Sequence, residues 1–186
     1  MKESGHRFLL RLGIASFAGA FVVSPALAAR DIFVEVPGIP GEVTTTGFTG
    51  TISAESLALG YSVPVDPATG IASGKLNFAP VVITKRADTT TPVLMAAGGK
   101  GTVFPTLVLK STTTTQDATV LVNQTVTLSN ARVTEWRLVD AKNATNAAAT
   151  EQVAFAASGI TVESVRVDGA TNVPQKPVTG QVGSVK

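Results

Sequence analysis

The chain of 186 residues has no cysteine, and only one histidine, one tryptophan and one tyrosine. Without cysteine there is no disulfide, no thiolate nucleophile and no thiolate-bound metal. The histidine is His6, close to the N-terminus. If the first residues are removed, imidazole-based triads and most transition-metal sites go with them. Charge is sparse at 15%, and no basic strip interleaved with aromatics offers a track for single-stranded nucleic acid. No apolar run reaches the roughly 20 residues of a membrane-spanning helix.

What is present begins with a leader. Lys2 and Arg7 give a basic start, Leu12 to Val23 is an uncharged and mostly apolar run, and Ser24-Pro25 breaks it. Ala26 and Ala28 then supply small residues at the positions a signal peptidase reads. Residues 1–28 are therefore expected to be a cleaved signal peptide, leaving an exported chain, periplasmic or secreted, that starts at Ala29. No cysteine follows for a lipid anchor, and no membrane attachment is expected after cleavage. Lys2, Arg7, Arg11 and Glu3 leave with the leader, so the remainder carries 12 residues of each sign. A formally neutral chain gives no electrostatic ground for binding nucleic acid.

The rest has the texture of a β protein, rich in threonine and valine. Asp31–Val36 reads as a strand with Ile32, Val34 and Val36 on one face, ended by a turn at Gly38-Ile39-Pro40-Gly41. Leu57, Leu59, Tyr61, Val63 and Val65 alternate with a clear period of two and predict one strand. Further strands are expected over Leu76–Arg86, Thr102–Leu109, Thr119–Leu128, Ala131–Val139, Glu151–Phe155 and Ile160–Val167. Pro80 and Pro105 hint at edges or bulges, and Gly159 at a bulge. Asn143–Thr150 reads as a loop. Six to eight short strands with at most one helix imply a sandwich or small barrel over 29–167. The last stretch, 168–186, is rich in proline and glycine, lacks apolar periodicity, and is expected to be a flexible tail.

The stretch "MAAGGKGT", Met95–Thr102, has the look of a phosphate loop but fails its spacing. The residue five before the Gly99-Lys100 pair is Leu94, and Lys100 is followed by Gly101 instead of Ser or Thr. The element order is also reversed, since this loop closes a helix and opens a strand. The glycines end a short helix over about 91–98. Thr91 is its expected N-cap, Pro92 its first helical residue, and Gly98 the left-handed residue at its C-terminus.

Laid out as strand, capped helix, glycine turn and strand, "GKLNFAPVVITKRADTTTPVLMAAGGKG" resembles a central signature of the Hcp family, the tube proteins of type VI secretion. The positions that carry the likeness are Gly74, Lys75, Phe78, Thr84, Lys85, Asp88, Thr91, Pro92, Gly99 and Lys100. "DIFVEVPGIPGE", Asp31–Glu42, is similar to the family's opening strand and turn. Thr150-Glu151 with Val153 and Phe155 is similar to a late strand. These anchors span about Arg30 to Val165.

The resemblance implies a mostly β, two-sheet barrel with one short flanking helix. It also implies six subunits to a ring and rings stacked into a tube. The family's ring-stacking loop would correspond to Ser62–Gly74, with Val63, Val65, Asp66, Pro67 and Ile71 as contact candidates. The cytoplasmic tube proteins of that family carry no cleavable leader, which sets this chain apart as an exported relative.

Chemistry is otherwise thin. Glu135 and Asp140 are out of step for one strand face, and no spaced acidic loop for calcium is present. Trp136 alternates with Glu135 and Arg137 and is expected in a core or interface with its indole N–H paired. The expectation is a non-enzymatic, cofactor-free subunit that associates with itself, with secreted protein as potential cargo. The alternative is a periplasmic or extracellular β-barrel module binding a small ligand or secreted partner.

Overall fold

A computed structural model describes residues 30–114, 119–139, 149–166 and 174–182. The expected leader, with Ala26 and Ala28, lies outside the described residues, as does most of Asn143–Thr150. The elements are β1 (Ile32–Glu35), β2 (Ile52–Ala54), β3 (Ser56–Ala58), β4 (Tyr61–Ser62), β5 (Asn77–Phe78), β6 (Val81–Arg86), α1 (Thr91–Lys100), β7 (Phe104–Thr114), β8 (Val120–Val139), β9 (Thr150–Ala156), β10 (Gly159–Ser164) and β11 (Val178–Val182).

One strand organises the rest. Ala131–Val139 continues the strand of Thr119–Leu128, giving a single strand, β8, of 20 residues. It continues through Asn130, which takes a left-handed φ of 49°. Its first half pairs with β7 along one edge and β10 along the other, and its second half pairs with β9. The β9–β10 break falls at Ala157-Ser158, where the Ser158 N–H still reaches Ser129 O at 2.9 Å. Gly159 itself pairs regularly with Ser129. The bulges lie at Ser111/Thr112 and Val133/Glu135 instead.

The sheet runs β2-β1-β7-β8-β9-β6-β3, all neighbours antiparallel. Its two ends are one piece of chain: only Glu55 separates β2 from β3, and its N–H donates to Thr84 O on β6 at 2.7 Å. Because β2 ladders to β1 and β3 to β6, the sheet closes on itself. Closure removes the exposed edges of these strands.

The interior follows the period of two. Val81 and Ile83 of β6, Val153 and Phe155 of β9, Leu107 and Leu109 of β7, and Val126 and Leu128 of β8 are all buried. On β1, burial extends to both faces: Ile32 and Val34 enter the core while Phe33 stacks on Phe48, ring centroids 4.1 Å apart. A side chain at Gly41 would stand 2.2 Å from Thr51 O, so the loop over Phe33 needs glycine there. Pro105 is tolerated as the second residue of β7, before the regular ladder begins at Thr106.

Two expectations are corrected. Leu57–Val65 is not one strand: the chain leaves the barrel at Leu59-Gly60, and the alternation resumes in β4 on a separate two-stranded ladder. The period was preserved because both pieces are extended, although they serve different sheets. In 168–186, residues 178–182 are not a free tail but pair along β10 from Ser164↔Val178 to Ile160↔Val182. Main-chain hydrogen bonding, which leaves no apolar pattern, holds them.

Candidate assembly surface

The helix is placed by a buried ionic knot at one end of the barrel. Lys85 occupies the next inward position on β6 after Val81 and Ile83, and Glu151 the next one on β9 beyond Val153. The two are direct cross-strand partners, and both are fully buried. Lys85 Nζ lies 3.0 Å from Glu151 Oε1, and donates to Asp88 Oδ1 and Arg86 O at 2.7 Å each. The Glu151 contact is an ion pair without hydrogen-bond alignment. Glu151 Oε2 accepts the Trp136 indole N–H at 2.9 Å. Trp136 is half-buried and packs on the core, as its sequence position predicted.

Asp88 is the hinge between this knot and α1. Its Oδ1 accepts the Thr90 N–H at 2.8 Å and the Thr90 hydroxyl at 2.6 Å, while its own N–H donates to Thr91 Oγ1 at 3.0 Å. Burial pushes the Asp88 pKa up, but the hydrogen bonds from Lys85 and Thr90 outweigh this and hold it below the usual carboxylate range.

The expected caps shift accordingly. Thr91 is the first helical residue and not the N-cap: Thr90 holds that position, its N–H bonded to the Asp88 carboxylate, while the Thr91 N–H donates to Asp88 O and its hydroxyl turns back to accept from the Asp88 N–H. Pro92 is second in the helix, still within the first turn, where an N–H has no helical acceptor to lose. Gly98 is not the left-handed terminator: it lies inside α1 and packs on β8, where a Cβ would stand 3.1 Å from Val133 Cγ1. Gly101 ends the helix instead, at φ 64°. The N–H groups of Gly101 and Thr102 close back on Gly98 O and Ala97 O at 3.1 and 2.9 Å, a Schellman pattern.

The segment proposed for ring stacking is an ordered hairpin arm. Tyr61 pairs with Phe78 and Ser62 with Asn77, Val65 bridges to Ala72, and Ala79 N–H donates to Gly60 O at 3.0 Å. Asp66 builds its turn: Oδ1 accepts the Ala68 N–H at 2.7 Å, the Asp66 N–H donates to Ile71 O, and Gly70 adopts φ 69°. Gly74 lies close against the Pro64 ring, where a Cβ would stand 3.0 Å from Pro64 Cγ.

The arm's apolar side chains point into solvent: Tyr61 is 63%, Val65 57% and Ile71 68% exposed, and Val63 less so at 37%. Asp66 and Pro67 shape the tip, and Val63, Val65 and Ile71 are the chains offered outward. At the arm's base, Leu59, Gly60, Tyr61, Phe78, Ile160 and Val162 line an apolar groove of about 370 Å³.

A family model described as "Type VI secretion system effector, Hcp" matches residues 33–163. The chain belongs to the Hcp family. Among solved structures, it is similar to a type six secretion system protein, with TM-score 0.73 and 22% identity over 82% of this chain and 93% of that one. An Hcp protein follows at TM-score 0.67 and 20% identity, covering 86% of this chain and 99% of that chain. Hcp1 from Salmonella typhimurium gives 0.66 and 18%, covering 83% and 95%. At these identities the likeness is one of fold. Among curated proteins, none matches this sequence.

Hcp proteins are secreted, non-catalytic structural subunits of the type VI tube, and this chain is an Hcp-family tube component. The anchors of the Hcp likeness are brought together by the fold: Lys85, Asp88, Thr91 and Glu151, scattered over 67 positions of sequence, meet in one knot. Glu151 as a buried partner of both Lys85 and Trp136 was not foreseen from sequence. The available signal was its inward parity with Val153 and Phe155.

Proposed function

We propose that this Hcp-family chain is an exported structural subunit that self-associates into six-membered rings and stacks them into tubes through the 60–79 arm. The observation that supports this most strongly is the arm itself. An internally hydrogen-bonded hairpin with a glycine-fitted kink holds Tyr61, Val63, Val65 and Ile71 in water, away from its own core. Each such aliphatic side chain gains roughly 1.5–3 kcal/mol on full burial. A rigid apolar finger of this kind gains that burial only from another molecule. Membership of the Hcp family supports the cyclic arrangement, and a ring of six requires head-to-tail contact between lateral faces of the barrel.

The test is light scattering of the purified protein at micromolar concentration, with electron micrographs of the same peak. A mass near six protomers with ring images is expected. The double variant Val65→Glu/Ile71→Glu is expected to keep the folded barrel, by circular dichroism, and to lose stacked tubes. A clean wild-type monomer would overturn the assembly. The 370 Å³ groove at the arm's base would then support the alternative, a binding module for a small apolar ligand.

A further inference from the structure

The C-terminal strand β11 lies outside the residues matched by the Hcp family, which end at 163. It touches the barrel through main-chain pairing with β10, together with the Gln175 N–H bonded to Arg166 O at 2.8 Å. Residues 174–181 are exposed, Val178 at 74%. The strand therefore adds almost nothing to the core. Its inner edge is taken by β10, and its outer edge pairs with no strand among the described residues.

That outer edge is built unlike a protected one. Proteins usually blunt an edge with charge, proline or a bulge. Val178-Thr179-Gly180-Gln181-Val182 contains no charge and no proline, and its pairing with β10 is regular throughout. The segment is also near-symmetric about its centre: valine at both ends, a polar residue inside each, glycine in the middle. An antiparallel pair of two such strands, related by a two-fold axis through Gly180, sets 178 opposite 182, 179 opposite 181 and 180 opposite 180. The alternation of a strand then gathers the valine positions on one face and the threonine and glutamine positions on the other. The glycine at the crossing leaves the two backbones free to approach.

We propose that β11 is a self-pairing strand that joins two copies of this chain edge to edge, by antiparallel β11–β11 hydrogen bonding centred on Gly180. The contact is isologous, as a two-fold interface requires. Its affinity comes from main-chain hydrogen bonds of the strand-addition type. It involves neither the arm nor the barrel closure, so it stands or falls separately from the ring.

The absence of native cysteine makes the test clean. Across an antiparallel pair, directly opposed Cα atoms lie about 4.5–5.5 Å apart, within the roughly 4.4–6.8 Å a disulfide spans. Gly180→Cys is accommodated, since a Cβ there comes no closer than 4.0 Å to Val162 O. In the full-length protein under mild oxidation, Gly180→Cys is expected to give a reducible dimer on denaturing gels.

Val178→Cys is the control, because its two copies would be offset by four residues, about 13 Å along the strand. At least a tenfold excess of dimer for Gly180→Cys over Val178→Cys is expected. A mixture of Thr179→Cys and Gln181→Cys proteins should cross-link where neither alone does, which keeps the test decisive should Gly180→Cys fail to fold. Equal cross-linking at 180 and 178, or none in the 179/181 mixture, would overturn the pairing. Light scattering on the same samples reports the ring separately, so a ring without these dimers refutes the strand pairing alone.

Discussion

Replacing Lys85 by methionine tests the buried knot directly. The methionine fills most of the lysine's volume, so the change is mainly electrostatic. It leaves the fully buried Glu151 without its cation and Asp88 without one of its donors. Removing one partner of a buried pair costs about 3–5 kcal/mol, because the remaining charge stays desolvated and unpaired. A domain of this size has about 5–15 kcal/mol in all. With a urea slope near 2 kcal/mol per molar, the midpoint should fall by about 2 M.

The double variant Lys85→Met/Glu151→Leu removes both charges and leaves mainly the Trp136 N–H without its acceptor, a loss of about 1–3 kcal/mol. It should therefore be more stable than Lys85→Met alone, the non-additivity expected of contacting residues. The assay is equilibrium urea unfolding followed by Trp136, the only tryptophan. A midpoint shift below about 0.5 M for Lys85→Met, or a double variant less stable than the single, would refute the account given of the knot.

Three further outcomes follow from the same geometry. Asp88 has a folded pKa held below its unfolded value, so its contribution is present above about pH 4–5 and is lost as pH falls through the folded pKa. Unfolding titrations between pH 5 and 3 should thus show a shallower pH dependence for Asp88→Asn than for wild type. Gly98→Val should destabilise by about 1–3 kcal/mol through overpacking on Val133, read as a thermal shift. Gly101→Ala, with open space around it but φ 64°, should cost about 1–2 kcal/mol from backbone strain alone.

The strands with inward apolar alternation were legible because the code is local: Val81 and Ile83, or Val153 and Phe155, state their face without reference to anything distant. The helix caps were misread by a few residues for the opposite reason. Thr91 and Gly98 both fit the local rules, but Asp88 is fixed by Lys85 from within the barrel, and Gly98 by Val133 from another strand. Glu151 was recognised only as part of a family motif, since no local pattern says that an acidic residue at an inward position will find a lysine 66 residues earlier. Ser62–Gly74 was read from sequence as a loop, without the hairpin pairing the structure gives it. The alternation at 57–65 cannot tell a strand inside the barrel from one that leaves it. β11 was missed altogether, because main-chain pairing without burial writes nothing into hydropathy.

The seam at Glu55 bears on how the protein is made. β7, β8 and β9 succeed one another along the chain and pair as neighbours, and β10 returns to β8, so they can form soon after they are synthesised. β1 waits for β7, with Ile32 meeting Ser111, and β2 and β3 stitch the closure against both sides. The N-terminal strands thus emerge first and find partners last. A chain with this connectivity remains unfinished while it is being synthesised and closes only when its far half has arrived, with slow, non-local steps gating maturation.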